Sequence, residues 1–151
     1  MAVDVAALRT EWVDHEFDQT DFVVDQHQML EWAEACGETD PRFTDPDHPD
    51  FQAHPSFTTK FGSRRVLPED FPKFGDGFGI DGGKAVEVHR PVRAGDVLTG
   101  HSAIHDIYEK TGRSGTMVFI VHRMVFTNQD GEPVSTVDWR MIRSISGRDE
   151  S

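Results

Sequence analysis

The apolar positions change their period along this chain. Phe17 to Val24 reads as extended, with Phe22, Val23 and Val24 as its apolar part. Asp25 then offers a helix N-cap, and Gln28 stands three residues later, the spacing of a capping box. Met29, Trp32, Ala33 and Cys36 recur on one face at helical spacing, with Leu30 beside them. His27, Glu31 and Glu34 face the other way, and Gly37 supplies the stop. Residues 1–15 carry weak signals, those of an arm or a short helix.

Pro41, Pro46, Pro49 and Pro55 exclude a long helix or strand from 38–55. A connector this long is usually functional or carries a short helix of its own. Ser56 is placed to cap a second helix to about Val66, with Phe57 and Phe61 on one side. From Pro68 to Gly83 the chain is rich in Gly and Phe. Beyond it the period becomes two, and strands are predicted at Ala85–Arg90, Val97–Tyr108, Thr116–Thr127 and Val134–Ile145. Turn signals separate them: Pro91 to Asp96, Lys110-Thr111-Gly112, and Asn128 to Gly131. Such tight turns imply a meander of antiparallel hairpins. Thr116–Phe126 is apolar at nearly every position, as a central strand covered on both faces would be. The order predicts an α+β fold, one antiparallel sheet wrapped around one helix. Its uncovered edge or face would need a partner.

The 151 residues amount to one domain. Eleven Phe against one Tyr bring apolar area without a polar tip, which suits a core or an acyl tunnel. Fifteen basic and 27 acidic residues give a net charge of -12, which disfavours nucleic acid and anionic membranes as partners. The single cysteine, Cys36, allows no intrachain disulfide and fits a reducing compartment. With no apolar run of membrane-spanning length and no signal-peptide pattern, the chain is expected to be soluble and cytoplasmic.

Several segments resemble one family. Asp81 to Asp96, DGGKAVEVHRPVRAGD, is similar to the GGQEFEFHRPVRAGD stretch of MaoC-like dehydratases of the hot-dog fold. Asp106 to Lys110 resembles the family's DVYEK, Ser114 to Val121 its GGTMTFVV, and Thr127 to Val134 its TNQDGEPV. Ala33 to Pro41 resembles AEAVGETDP. The likeness runs over roughly 17–145 and is strongest to the N-terminal-type dehydratase domain. It implies a single hot-dog domain at 17–146, flanked by an N-terminal arm at 1–16 and a tail at 147–151. It also implies hydration of an enoyl-CoA or the reverse dehydration, without metal or redox cofactor. In that chemistry a carboxylate and an imidazole hold one water, and a backbone N–H polarises the thioester oxygen.

The family's catalytic motif, G-D-x-N-P-I-H-x-D, appears here as Gly37-Glu38-Thr39-Asp40-Pro41-Arg42-Phe43-Thr44-Asp45. Glu38 stands in place of the catalytic Asp, and Phe43 in place of the catalytic His. Phe cannot move a proton. Glu38 is one methylene longer than Asp, and a misplacement of about 1 Å can cost about a hundredfold. The family's A-H-G turn becomes Ala53-His54-Pro55, and Pro55 has no N–H for an oxyanion.

Weak catalytic candidates are left: Glu38, Asp40 and His54, the last in an unconventional dyad with one of the acids. Against this, Asp40 and Asp45 are in turn-forming positions, and His54 can simply be a loop histidine. Asp45, Asp47, His48, Asp50 and His54 match no tetrahedral metal spacing, so solvated loop charge is the better reading. Lys60, Arg64 and Arg65 either meet CoA phosphates or form a solvated helix face, and Arg90 and Arg93 share that ambiguity. The segment around Phe78 is either a flap over an acyl chain or a surface loop. Phe43, His54, Phe57, Arg64, Arg65 and Phe78 are the expected substrate-binding residues.

The resemblance therefore implies a non-catalytic, substrate-binding subunit of a heteromeric enoyl-CoA hydratase or 3-hydroxyacyl dehydratase for a long or bulky acyl-CoA thioester. A second hot-dog subunit would carry the intact motif. The alternatives are a self-sufficient homodimeric hydratase or thioesterase, and an acyl-CoA binding module without catalysis.

Overall fold

The computed structural model describes residues 3–75, 79–113 and 115–145. Its helices are α1 (Val5–Trp12), α2 (Gln26–Ala35) and α3 (Pro41–Thr44), with a 3₁₀ turn at Phe57–Lys60. Its strands are β1 (Glu16–Val23), β2 (Gly79–Val88), β3 (Val97–Gly112), β4 (Gly115–Thr127) and β5 (Pro133–Ile145). All five form one antiparallel sheet in the order β1-β3-β4-β5-β2. The α+β class and the central place of β4 match the sequence expectation.

One face of the sheet carries the core. On β4 it presents Val118, Ile120, His122, Met124 and Phe126, alternate residues as the pleat requires. In register beside them on β5 stand Met141, Trp139 and Val137, opposite Ile120, His122 and Met124. Two apolar clusters cover this face. At one end Met29 of α2 packs with Ala53, Phe57 and Val92 on Leu98, Met124, Phe126 and Val137. At the other end Leu8 of α1 and Phe71 pack on Ile104, Ile107, Val118, Ile120 and Met141. His122 and Ser102 lie between them, buried and polar.

The meander expectation is corrected. β2 pairs with β5 at the sheet edge, not with β3. The connector after β2 instead runs beneath the sheet end, where Val92 is buried and its carbonyl accepts the N–H of Ala53 at 2.7 Å. Gly95, at φ 88°, turns the chain there, and its N–H bonds Val24. β2 also begins earlier than predicted, because the Gly-rich stretch from Gly79 pairs with the far half of β5. At Gly82 a Cβ would meet the Arg140 carbonyl at 2.9 Å, so glycine is needed for that pairing. β3 likewise continues through the predicted turn at Lys110–Gly112, pairing as far as Gly112 with Gly115.

The helix predicted from Ser56 to Val66 is a single 3₁₀ turn. The Ser56 hydroxyl makes no cap bond, because Trp32 and His54 occupy it. Phe61 leaves helical geometry and stacks on Phe22, with centroids 4.6 Å apart. Tertiary packing overrides local propensity here. On α2 the Asp25 cap holds, accepting the His27 N–H at 2.7 Å. The return bond of a capping box is absent: the Gln28 Oε1 is buried without a partner among the described residues. Cys36, expected on the buried face, is the exposed C-cap. Among the described residues no helix is long and apolar enough to cross a membrane.

Candidate active site

Gly37 takes φ 69° and turns the chain sharply out of α2. Asp40 then caps α3, with Pro41 at its first position, and α3 carries the buried Phe43. Glu38 sits between the helices. Its Oε1 accepts the N–H groups of Thr39 and Asp40 at 3.1 and 3.0 Å. Its Oε2 lies 3.2 Å from Nε2 of His54. The Asp40 N–H, then the Thr39 N–H and the imidazole, hold the Glu38 carboxyl below its ordinary value. The structure thus brings together two of the weak catalytic candidates.

The imidazole is fixed on both sides. Nδ1 accepts the Ser56 N–H at 3.2 Å, which leaves the ring proton on Nε2, directed at Glu38. The Ser56 hydroxyl lies 2.8 Å from Nδ1 and accepts the indole N–H of Trp32 at 2.9 Å. Phe43 meets the imidazole edge-on, with centroids 5.5 Å apart. Both ring nitrogens and both carboxylate oxygens are therefore engaged within the turn. Asp40 is not part of this pair: Arg42, through its guanidinium and then its N–H, holds that carboxyl below its usual range.

The remaining expected residues are dispersed. Phe57 is fully buried and packs edge-on against Trp32 and Phe61, forming a core wall. Arg64 ties the post-56 loop to β1, pairing with Asp18 at 3.6 Å and donating to the Gln19 carbonyl at 3.0 Å. Arg65 pairs with Glu69, Arg90 with Glu132 and Arg93 with Asp50. Lys60 lies over the rings of Phe57 and Phe61. Phe78 lies outside the described residues. Among the described residues no cluster of His, Cys, Asp and Glu is able to hold a metal ion.

What sequence reasoning missed is a row of cavities along the core face. A small one of about 30 Å³ touches His54, Phe57, Val88 and Ser135. A second, of about 70 Å³, lies under Phe61 and Val66 against His122, Met124, Val137 and Trp139. A cleft of about 560 Å³ follows between Leu67, Phe71 and Phe74 and the sheet residues Ile120 and Arg143. On β5 the lining positions share one face, from Ser135 to Arg143, a span of about 27 Å at the usual strand rise. The only sequence signal was the Phe-rich composition of the segments that roof them.

Known proteins match this fold closely. The family profile described as FAS1-like, dehydratase domain region, matches residues 11–137. The UPF0336 protein SCO4636 of Streptomyces coelicolor is 34% identical over 101 residues, 60% of this chain and 67% of that protein. Among solved structures, a chain of the C-terminally truncated HadBC (3R-hydroxyacyl-ACP dehydratase) complex of Mycobacterium tuberculosis superposes with a TM-score of 0.66. That alignment is 23% identical and covers 94% of this chain and 99% of the other. A chain of the ChsH1-ChsH2 complex of the same organism superposes at 0.68, with 21% identity over 95% of both chains. These structures share the hot-dog fold. With the matched region extending from α1 into β5, the chain belongs to the FAS1-like dehydratase domain family.

Proposed function

We propose that this chain is the substrate-binding, non-catalytic subunit of a heteromeric enoyl-thioester hydratase or 3-hydroxyacyl dehydratase. The observation that carries this is Phe43, buried on α3 and closed edge-on against His54, where the family motif has its imidazole. Glu38 supports it as well: Oε1 accepts two backbone N–H groups and Oε2 faces His54, which commits most of the carboxylate to holding the turn. Pro55 offers no N–H to a thioester oxygen. A partner hot-dog chain would supply the carboxylate and imidazole that add water to the β-carbon and a proton to the α-carbon. The contribution of this chain is positional. The row of cavities holds a long or bulky acyl group, and burying it gives binding energy that can orient the thioester at the partner's site. Complexes named among the fold relatives, HadBC and ChsH1-ChsH2, fit such an assembly.

One observation favours a second reading. Glu38 and His54 stand at hydrogen-bond distance, the requirement for a self-sufficient acid–base pair. The two readings separate in an assay of enoyl-CoA hydration by the chain alone and with a hot-dog partner bearing the intact Asp and His motif. Activity only in the mixture supports the subunit role. Activity of the chain alone, lost in Glu38→Gln or His54→Asn, supports the second reading.

A further inference from the structure

The middle cavity of the row has a mostly apolar lining that includes one imidazole. There His122 stands beside Phe61, Val66, Met124, Val137 and Trp139. Only 4% of it is exposed, and its Nε2 has no hydrogen-bond partner among the described residues. Ser102 repeats the pattern: it is fully buried, and its hydroxyl has no partner among the described residues. The two are neighbours on one face. Ser102 pairs with Met124 and Ile104 with His122, so Ser102 and His122 are one diagonal step apart. Asp18 stands opposite Ser102 on β1 but is engaged by Arg64 and Thr20. Lys84, on the cavity's other side, donates to the Thr59 carbonyl and lies over the Trp139 ring.

Native proteins leave few buried polar groups unpaired, and each calls for an explanation. His122 lines the cavity while Ser102, one diagonal step away, is not among its lining residues, so a ligand atom in the cavity accounts for the unpaired imidazole. The ligand atom has to be uncharged: the surroundings are apolar, and burial and then the charge of Lys84 keep the imidazole neutral by lowering its pKa to about 4. A neutral imidazole has one nitrogen that donates and one that accepts, which matches a hydroxyl or keto oxygen. The cavity volume of about 70 Å³ is roughly that of two waters, enough for a carbon bearing an oxygen.

We propose that His122 is a recognition point for an oxygen carried on the acyl chain, away from the thioester. The chain thus selects hydroxy- or keto-acyl thioesters over plain alkyl ones of equal length. This rests on the acyl-binding reading above. The test is calorimetric titration of the protein, with its partner if it needs one, using dodecanoyl-CoA and isomers in which a hydroxyl is walked along the chain. At one hydroxyl position the wild type is expected to bind about tenfold more tightly than the plain ester, the discrimination of a buried hydrogen bond. His122→Phe should erase that preference, bringing the affinities of the hydroxylated and plain esters together. If His122→Phe does not fold, the imidazole nitrogen resonances of the wild type give the second measurement. They should move with the preferred ester and not with the plain one. Equal affinities at every position, a preference that survives in His122→Phe, or nitrogen resonances blind to the hydroxyl would overturn the recognition point, and a buried water would then explain the imidazole. Binding of neither ester would remove the acyl-binding reading itself.

Discussion

His54 Nε2 lies 3.2 Å from Glu38 Oε2, and each group is already committed elsewhere in the same turn. The carboxylate caps two backbone N–H groups, and the imidazole accepts from Ser56. Such a pair holds the turn between α2 and the 54–56 segment in place. A hydratase pair has to keep a carboxylate oxygen and a ring nitrogen available to one water.

Ser56 is the keystone of that turn. Ser56→Ala removes the acceptor of the Trp32 indole N–H and the hydroxyl beside His54 Nδ1. Denaturant unfolding should show a loss of about 1–3 kcal/mol, the cost of a part-buried donor left unpaired. The His54 ring nitrogens should also shift in NMR spectra as the tautomer loses its support.

Phe43 contributes packing where the family has chemistry. It is 7% exposed and touches His54, so Phe43→Ala should destabilise by about 3 kcal/mol, the low end for a buried Phe. Urea midpoints would read this directly. A loss below about 1 kcal/mol would mean that the ring is not seated as described.

His122 gives stability a definite pH dependence. Burial, then the charge of Lys84, lowers its pKa from 6.5 to about 4 in the folded state. The unfolded chain therefore binds this proton more readily between those values, so folding stability rises with pH across that window. The contribution is complete above 6.5 and lost as pH falls to about 4, amounting to at most about 3 kcal/mol. Unfolding curves for His122→Phe should be flatter than wild type between these two pH values. Identical acid limbs would contradict the burial of a neutral imidazole.

Gly100 tests the packing of the core face at β3. A Cβ there would meet Met124 at 2.5 Å, Phe22 at 3.2 Å and Phe126 at 3.3 Å. The Met124 tip can move aside, but the two rings have to shift as well. Gly100→Ala should therefore cost about 1–2 kcal/mol through overpacking, measured by thermal unfolding.

What the sequence made legible was local. α2, its Asp25 cap and its Gly37 exit are set by neighbouring residues, so pattern alone located them. The strands from Val97 onward were legible for the same reason, with their period of two. The β2–β5 pairing was not, because it joins segments about fifty residues apart and no turn chemistry announces it. Ser56 was misread as a helix cap because its true partner, Trp32, comes from another element. Substitution of the motif at Glu38 and Phe43 was visible in the letters, but contact between Glu38 and His54 required the fold. His122 passed unnoticed as one polar position in an apolar strand. Its meaning comes from what surrounds it in space.

The most direct test of the central claim is the rate of enoyl-CoA hydration by the reconstituted complex, comparing wild type with the double variant Glu38→Gln/His54→Asn in this chain. If this chain only binds substrate, kcat should stay within about threefold of wild type, and the isolated chain should show no turnover. A fall of about a hundredfold or more in kcat, the range of a lost acid or base, would show that Glu38 and His54 do the chemistry and contradict the subunit role.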